Sequence, residues 1–236
     1  MTNSSGNQPS RSLLCDIIMY ENKDISTLPA KQSGWKDEAT ALSAYLKRFE
    51  ETHRAVEVVR PGLVTHREYP YIRASPDAII SCDCHGYNII EIKCPYKARC
   101  MEPKQAVLES KIDYVKIGIN GTLELVCAHK YGYYEQVMTQ LACSEQKSAT
   151  LIIWTKLGFI DLPIQFDEQY WCKSMLPKLK QFFETIVVTE ILTGHMKKQL
   201  DSNISENADT VTNIDETTEE KKEDLDDSLS NSSSGK

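Results

Sequence analysis

The stretch Ile89-Ile90-Glu91-Ile92-Lys93 alternates apolar and polar positions, and a period of two predicts a strand over Tyr87 to Lys93. Glu91 and Lys93 then leave one face of a sheet while Ile90 and Ile92 pack behind the other. Three further β-branched runs, Val56 to Val64, Ile72 to Ile80 and Leu151 to Trp154, predict neighbouring strands. Two stretches keep helical spacing instead. Trp35, Ala39, Leu42, Leu46 and Phe49 recur at intervals of four and three, the stripe of an amphipathic helix laid on a sheet. In Tyr133 to Gln146, Val137 and Leu141 form a stripe, and Gln136 and Gln140 stand four apart on the adjoining face. Asn120-Gly121 between Val115-Lys116-Ile117 and Leu123-Glu124-Leu125-Val126 predicts a hairpin ahead of that second helix. From Asp167 to Leu192, Trp171, Met175, Leu179, Phe182, Phe183 and Ile186 predict a closing helix that Pro177 kinks or restarts. The expected fold class is α/β, a central mixed sheet flanked by helices.

Chemistry enters where the strands carry charge. If the strand holding Ser75-Pro76-Asp77 pairs with the Glu91 strand through a hairpin, two carboxylates and the Lys93 ammonium converge on one point. Hard oxygen donors beside a lysine suit Mg²⁺, with Mn²⁺ as a substitute, and the expected metal ligands are Asp77, Glu91 and the backbone carbonyl of Ile92. Such an ion polarises a phosphodiester and lowers the pKa of a water, while Lys93 orients the water or stabilises developing charge. A Glu-x-Lys triplet alone is common on solvated strands; the Pro-Asp element and the apolar flanks set this one apart. Glu38 lies at the edge of the first helical stripe, where a carboxylate either joins a cationic site or turns to solvent and a lysine. Gln136 and Gln140 are either exposed helix amides or partners for water, phosphate or a lysine.

These motifs, in this order, resemble the Asp…Glu-x-Lys signature of the restriction-endonuclease-like nucleases, and within them the phage lambda exonuclease and YqaJ-type viral recombinase family. The resemblance runs from Leu28 to about Thr193, through Trp35-Lys36-Asp37-Glu38-Ala39, Ala74-Ser75-Pro76-Asp77, Ile90 to Tyr96, His129 to Leu141, and Leu176 to Phe183. It implies a restriction-endonuclease-like core and a Mg²⁺-dependent deoxyribonuclease with Glu38, Asp77, Glu91, Lys93 and Gln136 as catalytic residues. By resemblance the activity is 5′ to 3′ exonucleolysis of duplex DNA ends in recombination or repair, carried out by a ring-shaped homotrimer. His129 falls where the family has a histidine ahead of paired tyrosines, and packs or approaches DNA. Two departures stand out. The family's N-terminal helix, with a basic and a small hydroxyl residue, is here reduced to Arg11-Ser12-Leu13-Leu14 before Cys15, and Thr189 replaces the usual proline before Glu190. A shortened N-terminus favours distributive or endonucleolytic action, or a catalytically weak module of the same fold that binds DNA or another protein.

With 236 residues and 41% hydrophobic content, one domain over 11–197 is expected, between a polar N-terminus, 1–10, and an acidic tail, 198–236, both expected to be disordered. The net charge of −7 misleads: residues 201–236 hold 11 acids against 3 bases, which leaves 24 bases against 23 acids elsewhere. Near-neutrality does not exclude DNA, because local basic patches make phosphate contacts. Lys97, Arg99 and Lys104, just past Lys93, are the candidate DNA-binding residues, with Gln140 for support or DNA contact; Lys173, Lys178 and Lys180 read as a solvated face. The tail solubilises, or competes with DNA, or recruits a partner. Cys82, Cys84, His85, Cys94 and Cys100 share a short window, but Cys82-x-Cys84 is tight for zinc, and buried or loop thiols are the default. Histidines 53, 66, 85, 129 and 195 show no ligand spacing. No membrane span or targeting signal is evident, so an intracellular protein, nuclear or cytoplasmic, with reduced thiols is expected.

Overall fold

The computed structural model describes Leu14, Ile17, Ile18, residues 29–195 and residues 197 and 198; side chains of residues 29–36 fall outside that description, and with them Trp35. Residues 1–10 and, Lys198 apart, the acidic tail also lie outside the described residues. The chain forms two compact units, one spanning Lys23–Phe183 and the other made of the two ends, with Glu184 onwards in the second.

In the first unit a five-stranded sheet is built from β1 (Glu57–Val59), β4 (Ala78–Cys82), β5 (Gly86–Lys93), β8 (Ser148–Thr155) and β9 (Gly158–Gln165), in the order β1-β4-β5-β8-β9. All neighbours are antiparallel except β5 and β8, which run parallel from Ile89↔Ala149 to Lys93↔Ile153. The sheet is therefore mixed, as expected. A parallel pair needs a long crossover. Here it includes helix α2 (Pro103–Leu108), the β6–β7 hairpin (Val115–Ile117 and Leu123–Leu125) and helix α3 (Tyr133–Ser144). The hairpin has the expected strands, but Asn120-Gly121 sits within a five-residue loop closed by Gly118 N–H to Thr122 C=O at 2.7 Å rather than forming a two-residue turn.

Two apolar clusters line the two faces. Ile90, Ile92, Ala78, Ile80 and Ile152 pack under helix α1 (Pro29–Glu50), while Ile89, Leu151 and Ile153 pack under α3 with Val137, Met138 and Leu141. Pairing alternate residues of one strand with helices on opposite sides is what a sheet covered on both faces demands. The α1 stripe differs from expectation by a small rotation: Ala41, Leu42 and Tyr45 are buried, Leu46 and Phe49 partly so, and Ala39 is exposed. Tyr45 takes the central place because its ring meets Phe49 and Phe159.

Two predicted strands are broken. Val56–Val64 divides into β1 and the separate β2 (Val64–Thr65), and Ile72–Ile80 divides into β3 (Arg73–Ala74) and β4. Pro76 has no N–H to give a ladder, so Ser75-Pro76-Asp77 leaves the sheet as a bend between them. Past β9, Asp167 accepts the Tyr170 N–H at 2.8 Å and opens a helical stretch. A π turn at Trp171–Met175 precedes the helix Leu176–Phe182, which absorbs Pro177 near its start, where the missing N–H costs nothing. In the second unit, a helix at Val188–Thr193 ends at Gly194, whose φ of +58° suits a helix C-terminus.

Candidate active site

Register places the acidic residues. Ala78 is paired with Ile90, so Asp77, one residue outside β4, faces the end of β5. There its carboxylate accepts the Ile92 N–H at 2.6 Å, a side-chain acceptor just past the end of the β4 ladder. The N–H and C=O of one strand residue leave the same edge, so the Ile92 carbonyl also leaves β5 on the β4 side.

Glu91 is 2% exposed on the α3 side of the sheet. A buried carboxylate is tolerable only when its lone pairs are filled. Gln136 donates to Oε1 at 2.7 Å, Gln140 donates to Oε2 at 2.6 Å, and Lys93 pairs with Oε1. The Lys93 ammonium also donates to Gln136 Oε1 at 3.1 Å and lies 4.5 Å from the centre of the Tyr133 ring. Gln136 thus bridges the ion pair with both ends of its amide. Its place follows from the start of α3. Gly132, at φ +64°, turns the chain into the helix, Gln136 N–H bonds its carbonyl at 2.8 Å, and the adjacent Glu135 accepts the Ala128 N–H and the Tyr170 hydroxyl.

Negative charge is in excess. Burial, the Glu91 carboxylate and, more weakly, Glu38 push the Asp77 carboxyl up to about 7, against the opposing pull of the Ile92 N–H and of Lys93. The Cys94 thiol, on the α1 side, is pushed up to about 12 by burial and then by Asp37, Glu38 and Asp77. The Glu38 carboxylate on α1 thus acts electrostatically on both Asp77 and Cys94. Asp37 joins the same field, and nothing in the helical period singles it out from Glu38. Tyr133 is likewise missed by sequence, since its role depends on where Lys93 comes to rest.

Gln140 needs correcting as a DNA contact. It is fully buried, its amide nitrogen reaches Glu91 and, at 3.4 Å, the Ser75 carbonyl, and its own oxygen has no partner among the described residues. It supports the carboxylate. Gln140→Leu, of similar size, would strand Glu91 Oε2, and an expected loss of about 1–3 kcal/mol should lower the urea midpoint at unchanged slope. Lys97 and Lys104 are exposed, while Arg99 is half-buried, stacked 4.1 Å from the Tyr96 ring centre and bonded to the Tyr96 carbonyl at 2.8 Å. His129 packs edge-on to Tyr114 and lies 3.6 Å from Asp113. Cys94 and Cys100 do not gather with Cys82 and His85. Instead His53 meets those two, a grouping that sequence spacing does not reveal.

Among the described residues no helix is long and apolar enough to cross a membrane. No curated protein matches the chain. Two crystal structures of the alkaline exonuclease LHK-Exo from Laribacter hongkongensis are similar to it. The one in complex with dAMP has 19% identity and a TM-score of 0.48, covering 84% of this chain and 83% of that one. The other has 20% identity and a TM-score of 0.47, covering 89% of each. Residues 8–147 match the YqaJ-like viral recombinase domain, a span that takes in Arg11 and Ser12 as well as Glu38, Asp77, Glu91, Lys93 and Gln136. That span is more than half of the sequence, and the chain belongs to the YqaJ-like viral recombinase domain family.

Proposed function

We propose that this protein is a Mg²⁺-dependent deoxyribonuclease that hydrolyses phosphodiester bonds, acting as a 5′ to 3′ exonuclease on duplex DNA ends in recombination or repair. The observation that carries the reading is the charge imbalance around the end of β5: Asp77, bonded to the Ile92 N–H, is pushed up by burial and by the Glu91 and Glu38 carboxylates, and the Lys93 ammonium paired with Glu91 is the opposing charge. All the donors there are oxygens, which fits a hard divalent ion, and Asp77, Glu91 and the Ile92 carbonyl are the residues that would hold it. When bound, the ion supplies Lewis acidity toward a phosphoryl oxygen and a water of lowered pKa. The chain's own residues do the rest. Lys93, fixed by Gln136 and the Tyr133 face, presents a point charge at the place where negative charge grows during displacement. Gln140 and Gln136 hold the Glu91 carboxylate in one orientation.

Lys97 and Lys104, exposed beyond β5, are proposed phosphate contacts, with Arg99 steadying the turn between them. Polarity and a trimeric ring rest on the family alone. The test is linear duplex DNA labelled at either the 5′ or the 3′ end, incubated with Mg²⁺, Mn²⁺ or chelator. Shortening that needs the metal and releases the 5′ label first is the expected result. Salt-sensitive DNA binding with no cleavage under any metal would overturn it in favour of a binding module.

A further inference from the structure

At the opposite end of the β4–β5 hairpin from Asp77, three metal-ligating side chains meet that the nuclease reading does not use. Cys82 ends β4, His85 lies in the turn to Gly86, and His53 follows the end of α1; one donor atom of each lies within 4.8 Å of the others. Cys82 Sγ and His85 Nδ1 are 3.8 Å apart. Tetrahedral zinc with Zn–S and Zn–N bonds of about 2.3 and 2.1 Å sets its sulfur and nitrogen about 3.6 Å apart, so this edge is already formed. The His53 and His85 rings have centres 5.0 Å apart and planes tilted by 55°, not stacked on each other.

His53 is set up as a ligand by its other contacts. Its Nδ1 lies 2.9 Å from both the Phe49 carbonyl and the Thr52 hydroxyl, and its ring stacks on Phe49 at 3.6 Å. The tautomer that donates Nδ1–H to the Phe49 carbonyl leaves the Nε2 lone pair for a metal, the usual outer support of a zinc-bound histidine. Cys82 is buried, His53 half-buried and His85 exposed, so the cluster opens outward. It borders a cavity of about 250 Å³ lined also by Tyr45, Phe49 and Thr150.

We propose that His53, Cys82 and His85 bind one Zn²⁺, with the fourth position open to solvent. One thiolate and two imidazoles are borderline-soft donors that select zinc over Mg²⁺, whereas the oxygen donors around Asp77 suit Mg²⁺. The same ion ties the exit of α1 to the β4–β5 turn, a junction otherwise held by the Asp83 N–H to Arg54 C=O bond at 3.2 Å. It thereby braces the two elements that carry Glu38, Asp77 and Glu91.

Cobalt(II) added to the metal-stripped full chain is the probe, because a thiolate ligand gives a sulfur-to-cobalt charge-transfer band that carboxylates do not. The band is expected to saturate at one cobalt per chain, to be bleached by an equal amount of Zn²⁺, and to survive excess Mg²⁺. It should also survive Glu91→Gln, which separates this site from the nuclease centre. Cys82→Ser and His85→Ala should each abolish it; His85 is exposed in a turn, so that variant keeps the core intact. Absence of the band in the wild type, its persistence in either ligand variant, or its loss in Glu91→Gln would overturn the proposal.

Discussion

Lys93→Ala is expected to lower the single-turnover cleavage rate about 10²–10⁴-fold, some 2.7–5.5 kcal/mol of barrier, while DNA affinity falls by less than about tenfold at fixed salt. The asymmetry follows from where the ammonium sits. Its side chain is 16% exposed, so it contributes little to long-range attraction of phosphate, yet it is the positive group among the carboxylates of Glu91, Asp77 and Glu38. Removing it leaves Glu91 with two neutral amide donors and no opposing charge. Lys93→Arg should fail to rescue. The Gln136 oxygen at 3.1 Å and the Tyr133 face hold a compact point charge, and a planar fork cannot meet both without displacing Gln136 from Glu91. Cleavage of labelled duplex under enzyme excess, together with a binding isotherm in chelator, checks both halves. A Lys93→Ala rate within about threefold of wild type would be incompatible with an ammonium acting on the reacting phosphate.

Legibility in the sequence followed the range of the interaction. β5 is readable because alternation is local: Ile90 and Ile92 face α1, and Glu91 and Lys93 face α3, as a period of two requires. The pairing of Asp77 with that strand end was reachable too, since only a short hairpin intervenes. What escaped depends on distant partners. Gln140 is of a type usually exposed, and only the carboxylate 49 residues away explains its burial. His53 and His85 lie on different elements, and no spacing rule links a helix exit to a hairpin turn. β9 escaped for another reason. Asp161 and Pro163 make Gly158–Gln165 look unlike a strand, but β9 is the sheet's edge, where a proline without an N–H to share is tolerated. The α1 stripe is rotated because the spacing through Ala39 suggests a face that Ala41 and Tyr45 in fact define.

Asp77→Asn is expected to abolish cleavage, by about 10³-fold or more, and yet to stabilise the metal-free protein at neutral pH. The sign comes from proton linkage. The Asp77 carboxyl sits at about 7 in the fold against an ordinary value of 3.8, so between those limits the native state holds a proton that the unfolded chain has lost. Stability must then fall as pH rises through that window and level off above it. Asparagine cannot ionise, keeps an acceptor for the Ile92 N–H, and removes the repulsion from Glu91 and Glu38. In chelator at pH 8 the variant should be more stable by about 1–2 kcal/mol, with the difference vanishing near pH 4. Mg²⁺ reverses the order. Wild type gains about 2.7 kcal/mol at a hundredfold excess over its dissociation constant, and the variant, lacking an anionic ligand, gains little. Wild-type cleavage should correspondingly rise as pH passes 7, because the ionised carboxylate is the form that holds the metal. Thermal or urea unfolding of both proteins in chelator and in Mg²⁺ reads the crossing directly. A variant less stable than wild type in chelator at pH 8 would mean that the Ile92 hydrogen bond outweighs the repulsion, and that the carboxylates around β5 are balanced without a metal.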